Sequence, residues 1–230
     1  MGAKKLVDGR GRPSLHGQIR MAGTQSKFVF DLSGGNLALD FANTVSKRPT
    51  PEAKERLNQY RDLLSFGNQS GVFPPRAFER LFTMAAQAPE LAERVLREAI
   101  RLREALFAIF SAVADKSTVP ANALALLTLA AQNVASHGRL VHKGGRFQWE
   151  WIGMDSHLDS VLWPIARTAA DLLTSDDLAC LRICDSEECD WLFLDKTKNQ
   201  RRRWCDMKTC GNRVKARRYY ERSREGSRHG

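Results

Sequence analysis

The sequence predicts a mainly α protein with a small β-hairpin (α+β), in which a helical N-terminal domain is followed by a small cysteine-bearing β-hairpin/helix module. Three observations predict it. Apolar residues recur at spacings of three and four through the middle of the chain, most clearly at Val95, Ala99, Leu102, Leu106, Ile109 and Val113. The period changes at a Lys143-Gly144-Gly145 turn between two short alternating runs. Near the C-terminus stand two matched cysteine pairs, Cys184-x4-Cys189 and Cys205-x4-Cys210.

The elements follow in order. Residues 1–27 are rich in Gly, Lys, Arg and Ser and read as a disordered basic tail, with Met21 a candidate true start. The tail has no apolar h-region, so no secretory signal is expected. Phe28–Leu32 alternates like a strand. Asn36 is placed to cap a helix through Val45, and Pro49 and Pro51 interrupt the pattern. Leu57, Tyr60 and Leu64 give helical spacing from Glu52 to Phe66, closed by Gly67 and Gly71. Pro74-Pro75 opens a further helix through Ala86, burying Phe78, Leu81 and Phe82. The longest helix is expected from Pro89 to Ala114. The next, Pro120–Ser136, is so dense in Ala and Leu that deep burial is expected. A hairpin over Leu140–Trp151 precedes a helix from His157 to Thr174, with Pro164 near its start or kinking it. The helical domain is thus placed at 28–174 and the cysteine module at 180–224.

Two short-spaced cysteine pairs joined by a short connector suit one structural zinc ion, because four thiolates close a tetrahedral shell. So small a segment can scarcely bury a core of its own, and metal binding would supply folding free energy. A fifth cysteine, Cys180, competes for the first knuckle as Cys180-x3-Cys184. Asp190–Asp195 reads as a strand with Trp191 and Phe193 on one face. After Gly211, Asn212 is a good N-cap for a helix to about Arg222.

The net charge of +10 is unevenly placed. Residues 1–30 carry six basic side chains against one acid, residues 31–195 carry 17 against 22, and residues 196–230 carry 13 against three. The C-terminal segment therefore balances at +10 by itself, which points to a polyanionic partner there. The chain's 43% hydrophobic and 27% charged content is that of an ordinary globular protein. No apolar run approaches the roughly 18–20 residues of a membrane span, so no membrane partner is expected. Cysteines without an export signal fit a reducing cytoplasm.

Trp191, Phe193, Asp195, Arg202, Arg203, Trp204, Cys205, Met207, Cys210, Gly211, Asn212, Arg213 and Lys215 together closely resemble the CGNR zinc finger family over roughly residues 180–222. Gly35, Leu37, Leu39-Asp40-Phe41 and Asn43-Thr44 resemble the start of an ABATE domain, which usually precedes that finger. The resemblance implies one structural zinc on Cys184, Cys189, Cys205 and Cys210, leaving Cys180 as a small apolar side chain. It also implies a stress-induced transcription regulator. On that reading Arg201, Arg202, Arg203, Arg213, Lys215, Arg217 and Arg218 contact nucleic acid, and the protein is nucleoid-associated when bound to DNA.

Duplex DNA is the favoured partner. RNA is an alternative because Trp204, Tyr219 and Tyr220 could stack on unpaired bases. Docking on an acidic protein surface is another alternative. A homodimer is a further expectation, and no small-molecule effector is identifiable. No catalysis is expected: a four-thiolate shell has no open position, and His137, His142 and His157 lack metal-ligand spacing. Asp40 and Asn43, three apart on the first helix, either bond neighbouring backbone or line a ligand pocket.

Overall fold

The computed structural model describes residues 28–74 and 76–226. The basic tail at 1–27, the Met21 start and Pro75 lie outside the described residues. Among the described residues, seven α-helices and three antiparallel strand pairs follow in the order α1 (Leu37–Ala42), β1 (Val45–Ser46), β2 (Lys54–Glu55), α2 (Tyr60–Gln69), α3 (Ala77–Gln87), α4 (Pro89–Ala114), α5 (Ala121–Ala135), β3 (Gly138–Lys143), β4 (Arg146–Trp151), α6 (Leu162–Leu173), β5 (Leu181–Ile183), β6 (Leu192–Leu194) and α7 (Asn212–Gly226).

The central helix α4 buries Val95, Ala99, Leu102, Leu106 and Ile109 along the face that the sequence periodicity marks. Around it pack α1, α2, α3 and α5, and α6 closes the core against α1 and α5. Helix α1 is the most enclosed: Ala38, Leu39, Phe41 and Ala42 are wholly buried. Asn36 caps it, accepting a hydrogen bond from Ala38 N at 2.9 Å. The helix stops at Ala42, three residues short of the expected Val45, because the chain turns into β1, which pairs with β2.

That pairing also corrects the next helix. It begins at Tyr60, not Glu52, because Asp62 accepts from the Asn58 and Gln59 backbones and sets a capping box there. Gly67 lies inside α2 instead of ending it. A side chain there would meet Phe73 Cε2 at 2.5 Å and Val161 Cγ2 at 2.7 Å. Phe28–Leu32 forms no strand. The Gln69 carboxamide takes a strand partner's place, accepting from Phe30 N at 2.9 Å and donating to Phe28 O at 3.0 Å.

The β3–β4 hairpin forms as expected, with Gly144 and Gly145 both at positive φ in its two-residue turn. Helix α6 starts at Leu162, because a run of turns precedes it, and Pro164 sits in its first turn. Helix α5 is less buried than its composition suggests: Ala123, Leu127 and Val134 face the core, while Leu124 and Leu129 are exposed. One side of this helix contacts α4 and α6, so its second apolar side has no element to cover it among the described residues.

Beneath β1–β2, Arg103 is 2% exposed and makes a bidentate pair with Glu55 at 2.5 and 2.7 Å. Burial opposes ionisation of Glu55, but the Arg103 and backbone hydrogen bonds outweigh it and hold the carboxyl below its ordinary range. A buried guanidinium needs such a partner, and the pair ties β2 to α4.

Candidate metal centre and basic helix

The cysteine module grows out of the body's core. Strand β6 alternates: Leu192 and Leu194 join the main apolar cluster, and Phe193, wholly buried, joins a second cluster made with the four cysteines. The expected six-residue strand shrinks to Leu192–Leu194, but its partner β5 carries the ladder one step further, Cys184 N donating to Trp191 O at 2.9 Å. The Trp191 indole N–H instead donates to Val45 O at 3.0 Å. Trp191 and Phe193 both pack on the cysteine cluster, as their shared face predicts.

Two turns bring the sulfurs together. Cys189 N donates to Ser186 O at 2.7 Å, closing the first knuckle, and Gly211 N donates to Asp206 O at 3.1 Å, closing the second. The Asp206 carboxylate accepts from Thr209 N at 2.7 Å and so caps the turn at Met207–Gly211 that leads directly into α7. The expected cap, Asn212, therefore lies inside a continuous helical path that begins upstream. Gly211 leaves room for its neighbours: a Cβ there would lie 2.3 Å from Met207 Sδ and 3.2 Å from the Trp204 ring, so a side chain would push the exposed Met207 aside.

The ligand atoms of Cys184, Cys189, Cys205 and Cys210 all lie within 4.8 Å of one another, and all four residues are buried. Cys189 and Cys205 sulfurs are 3.8 Å apart, and those of Cys205 and Cys210 3.7 Å. Zn–S bonds of about 2.3 Å put tetrahedral thiolates roughly 3.8 Å apart. The donor set and its spacing fit one structural zinc ion. As thiols the four are tightly coupled: hydrogen bonding with Cys189 pulls Cys184 down, and hydrogen bonding with Cys184 pushes Cys189 and Cys205 up. A central dication stabilises all four as thiolates. Cys180 lies outside this group, half-buried, its sulfur accepting from Gln200 Nε2 at 3.4 Å.

The expected nucleic-acid residues separate into three kinds. Arg202 is structural: Nε donates to Trp204 O at 2.9 Å, a second nitrogen donates to Cys205 O, and the guanidinium lies 4.6 Å over Phe193. Arg203, Arg213 and Arg217 pair with Asp185 (2.7 Å), Glu188 (3.4 Å) and Glu187 (2.8 Å) of the first knuckle. Arg201, Lys215 and Arg218 are exposed and make no ion pair among the described residues. Arg222 joins them, and Lys215, Arg218 and Arg222 fall on one side of α7 at 100° per residue. Val214 faces inward from a different side.

Asp195, which the sequence marks only as part of the motif, has no exposure and accepts from Thr197 N (3.1 Å), Thr197 Oγ1 (2.6 Å) and Arg202 N (2.7 Å), so it staples the loop between the knuckles. Burial works against its ionisation, yet these bonds keep the carboxyl below its ordinary range. The acids Asp185, Glu187 and Glu188 are legible in the sequence only as a short acidic run between Cys184 and Cys189. Of the two helix residues, Asp40 accepts from Gly34 N at 2.8 Å, and Asn43 bonds both backbone groups of Leu192. Both also line a small cavity of about 120 Å³ with Phe30 and Trp191. His137 stacks on Trp163 at 3.8 Å, and His142 and His157 are exposed.

Two family models match the chain. The ABATE model, described as "Putative stress-induced transcription regulator", matches residues 35–176, more than half of the sequence. The chain belongs to the ABATE family. In this ABATE protein a CGNR zinc finger model matches residues 181–223, directly after the first, and contains all four clustered cysteines. No curated protein matches the sequence. No helix among the described residues is long and apolar enough to cross a membrane.

Proposed function

We propose that this ABATE protein is a zinc-dependent, DNA-binding transcription regulator whose finger presents one side of α7 to duplex DNA. The observation that carries the reading is the side of α7 bearing Lys215, Arg218 and Arg222, which stays exposed while neighbouring arginines are neutralised by knuckle acids. Cations without internal ion pairs are the ones available to displace counterions from phosphates. Arg201, exposed on the loop before Cys205, is a further cation without an ion pair among the described residues. The zinc is structural on this reading, because four protein thiolates fill its shell, and the protein is not an enzyme. A reducing cytoplasm suits the thiolates.

The test is a mobility shift of duplex DNA by the zinc-loaded full chain, beside a Lys215→Ala/Arg218→Ala/Arg222→Ala variant. Binding by the parent that weakens in the variant supports the reading. No shift even at low salt overturns it. A preference for single-stranded RNA would transfer the function to the exposed Tyr219 and Tyr220, which offer stacking faces beside the same cations.

A further inference from the structure

The β3–β4 hairpin is a sheet of two strands, so each strand keeps one open edge among the described residues. Its hydrogen-bond phase is fixed by Ile152 N, which donates to His137 O at 2.7 Å one step beyond the Gly138–Trp151 pair. From there the hydrogen-bonded pairs alternate through Arg139/Glu150, Val141/Gln148 and Lys143/Arg146. The backbone N–H and C=O of Phe147 and Trp149 therefore point away from β3, and no hydrogen bond reaches them among the described residues. An unpaired edge of this kind is a template for another strand.

The two faces of the hairpin differ. One carries Leu140, His142, Phe147 and Trp149, with the Phe147 ring 4.8 Å from His142 and the Arg167 guanidinium 4.5 Å over Trp149. Phe147 is nonetheless 73% exposed, more than any other Phe, Trp or Tyr among the described residues. The other face carries Arg139, Lys143, Arg146 and Glu150. Glu150 accepts from Arg139 Nε at 3.0 Å and Nη2 at 2.6 Å, and it pairs with Lys143. Arg146 is exposed and has no ion pair among the described residues. It stands directly opposite Lys143, a like-charge pairing that costs stability.

We infer that β4 pairs antiparallel with β4 of a second copy of this chain, across a two-fold axis at Gln148, joining the two hairpins into one four-stranded sheet. The side chains select this register. With Gln148 opposite its own equivalent, Phe147 meets the second copy's Trp149 in a hydrogen-bonded pair, which uses the outward backbone groups of both. Arg146 then meets the second copy's Glu150 in a non-hydrogen-bonded pair, the kind that brings side chains closest. Aromatic and opposite-charge pairs across strands are both favourable. A carboxylate has about four acceptor positions, and the bonds from Arg139 and Lys143 leave room on Glu150 for the incoming Arg146. That acid also offsets the like charges of Arg146 and Lys143. The β3 edge offers no such match, because the same operation about Val141 sets Arg139 against the second copy's Lys143. Such a contact uses the same patch on both copies and closes at a dimer. It involves neither the finger nor α7, so the inference does not depend on DNA binding.

The test is sedimentation velocity of the zinc-loaded full chain without DNA, from low to high micromolar concentration. A monomer–dimer equilibrium is expected. Phe147→Lys, at an exposed position whose backbone lies outside the hairpin's own ladder, should weaken it at least about tenfold, since a lysine on an open edge opposes strand pairing. Gln148→Cys should cross-link to its own equivalent under mild oxidation, because facing residues of a non-hydrogen-bonded pair have Cα atoms about 4.5 Å apart, within disulfide reach. Peptide mapping separates a 148–148 link from links to the native cysteines. Val141→Cys, on the same face of β3, should form no 141–141 link. A monomer at the highest concentration, a dimer indifferent to Phe147→Lys, or the absence of a 148–148 link would each overturn the pairing. A chain that binds no DNA can still give all the expected results, so the two proposals fail separately.

Discussion

The side-chain amide of Asn43 grips the backbone of Leu192 from both directions: Oδ1 accepts from Leu192 N at 2.9 Å and Nδ2 donates to Leu192 O at 2.8 Å. Asn43 is also the C-cap of α1, so one residue ends the first helix of the body and anchors the strand that carries the finger. Leu194 N adds a bond to Gly34 O at 2.9 Å, and Leu192 and Leu194 bury their side chains in the body's core. The finger is therefore seated on the ABATE domain by backbone recognition and apolar burial, independently of its metal.

Asn43→Ala should destabilise the protein by about 2–4 kcal/mol, because it strips two buried backbone groups of their partners. Asn43→Asp should be no better, since its second oxygen would face the Leu192 carbonyl where an N–H now donates. Urea unfolding followed by tryptophan fluorescence measures both. A loss below about 0.5 kcal/mol for either variant would mean that the clamp contributes nothing beyond what water replaces.

Removing zinc should unfold only part of the chain. Phe193, Trp204 and the cysteine cluster lose the centre they pack around, so the knuckles and α7 should lose order. Helices α1–α6 belong to the separate main cluster and should persist, with β6 still held by Leu192 and Leu194. Chelation followed by far-ultraviolet circular dichroism should show a partial loss of helix with one cooperative transition retained. Serine substitution of Cys184, Cys189, Cys205 or Cys210 should abolish zinc retention, and Cys180→Ser should not. Complete unfolding on chelation would show that the body depends on the metal.

How much of this was readable in advance follows from the range of each interaction. Helix α4, the β3–β4 hairpin and the cysteine pairs rest on local signals, either apolar period or short spacing, and they stand where the sequence puts them. The Asn43 clamp joins residues 149 apart, and no local pattern marks it. Helix α2 begins late because Lys54–Glu55 pairs with Val45–Ser46, a contact that periodicity within 52–66 does not contain. Leu124 and Leu129 look like core by composition, yet burial depends on which neighbours exist, and α5 has them on one side only. The basic run likewise reads as one uniform patch until Asp185, Glu187 and Glu188 are folded against half of it.

Asp40 should make stability fall with rising pH. Burial raises its carboxyl to about 6, only partly offset by the Gly34 N–H it accepts. The folded state thus binds the proton more tightly than the unfolded chain, whose carboxyl titrates near 3.9. The associated stabilisation is fully present below about pH 4 and is lost as pH rises through 6, amounting to roughly 2–3 kcal/mol by pH 7. Asp40→Asn keeps an acceptor for Gly34 N without the ionisation. Between pH 4 and 7 its stability should decline less than the parent's, by about that amount. Parallel curves for the two proteins would show that Asp40 does not titrate in this window.

The division among the basic residues gives the sharpest comparison in the finger. Lys215 and Arg218 are exposed and without ion pairs among the described residues, so on the proposed DNA-binding reading substituting either by Ala should weaken duplex binding and lower the salt slope by about one. Arg203 is held 2.7 Å from Asp185, so part of its charge is already spent, and Arg203→Ala should change the slope less. Arg202→Ala should act differently again. It removes the bonds to Trp204 O and Cys205 O and the stacking on Phe193, so zinc retention and finger stability should fall first. Salt-dependent titration of each variant, with zinc content measured in parallel, separates the three effects. Equal salt slopes for Arg203→Ala and Lys215→Ala would show that the knuckle acids release their arginines to DNA on binding.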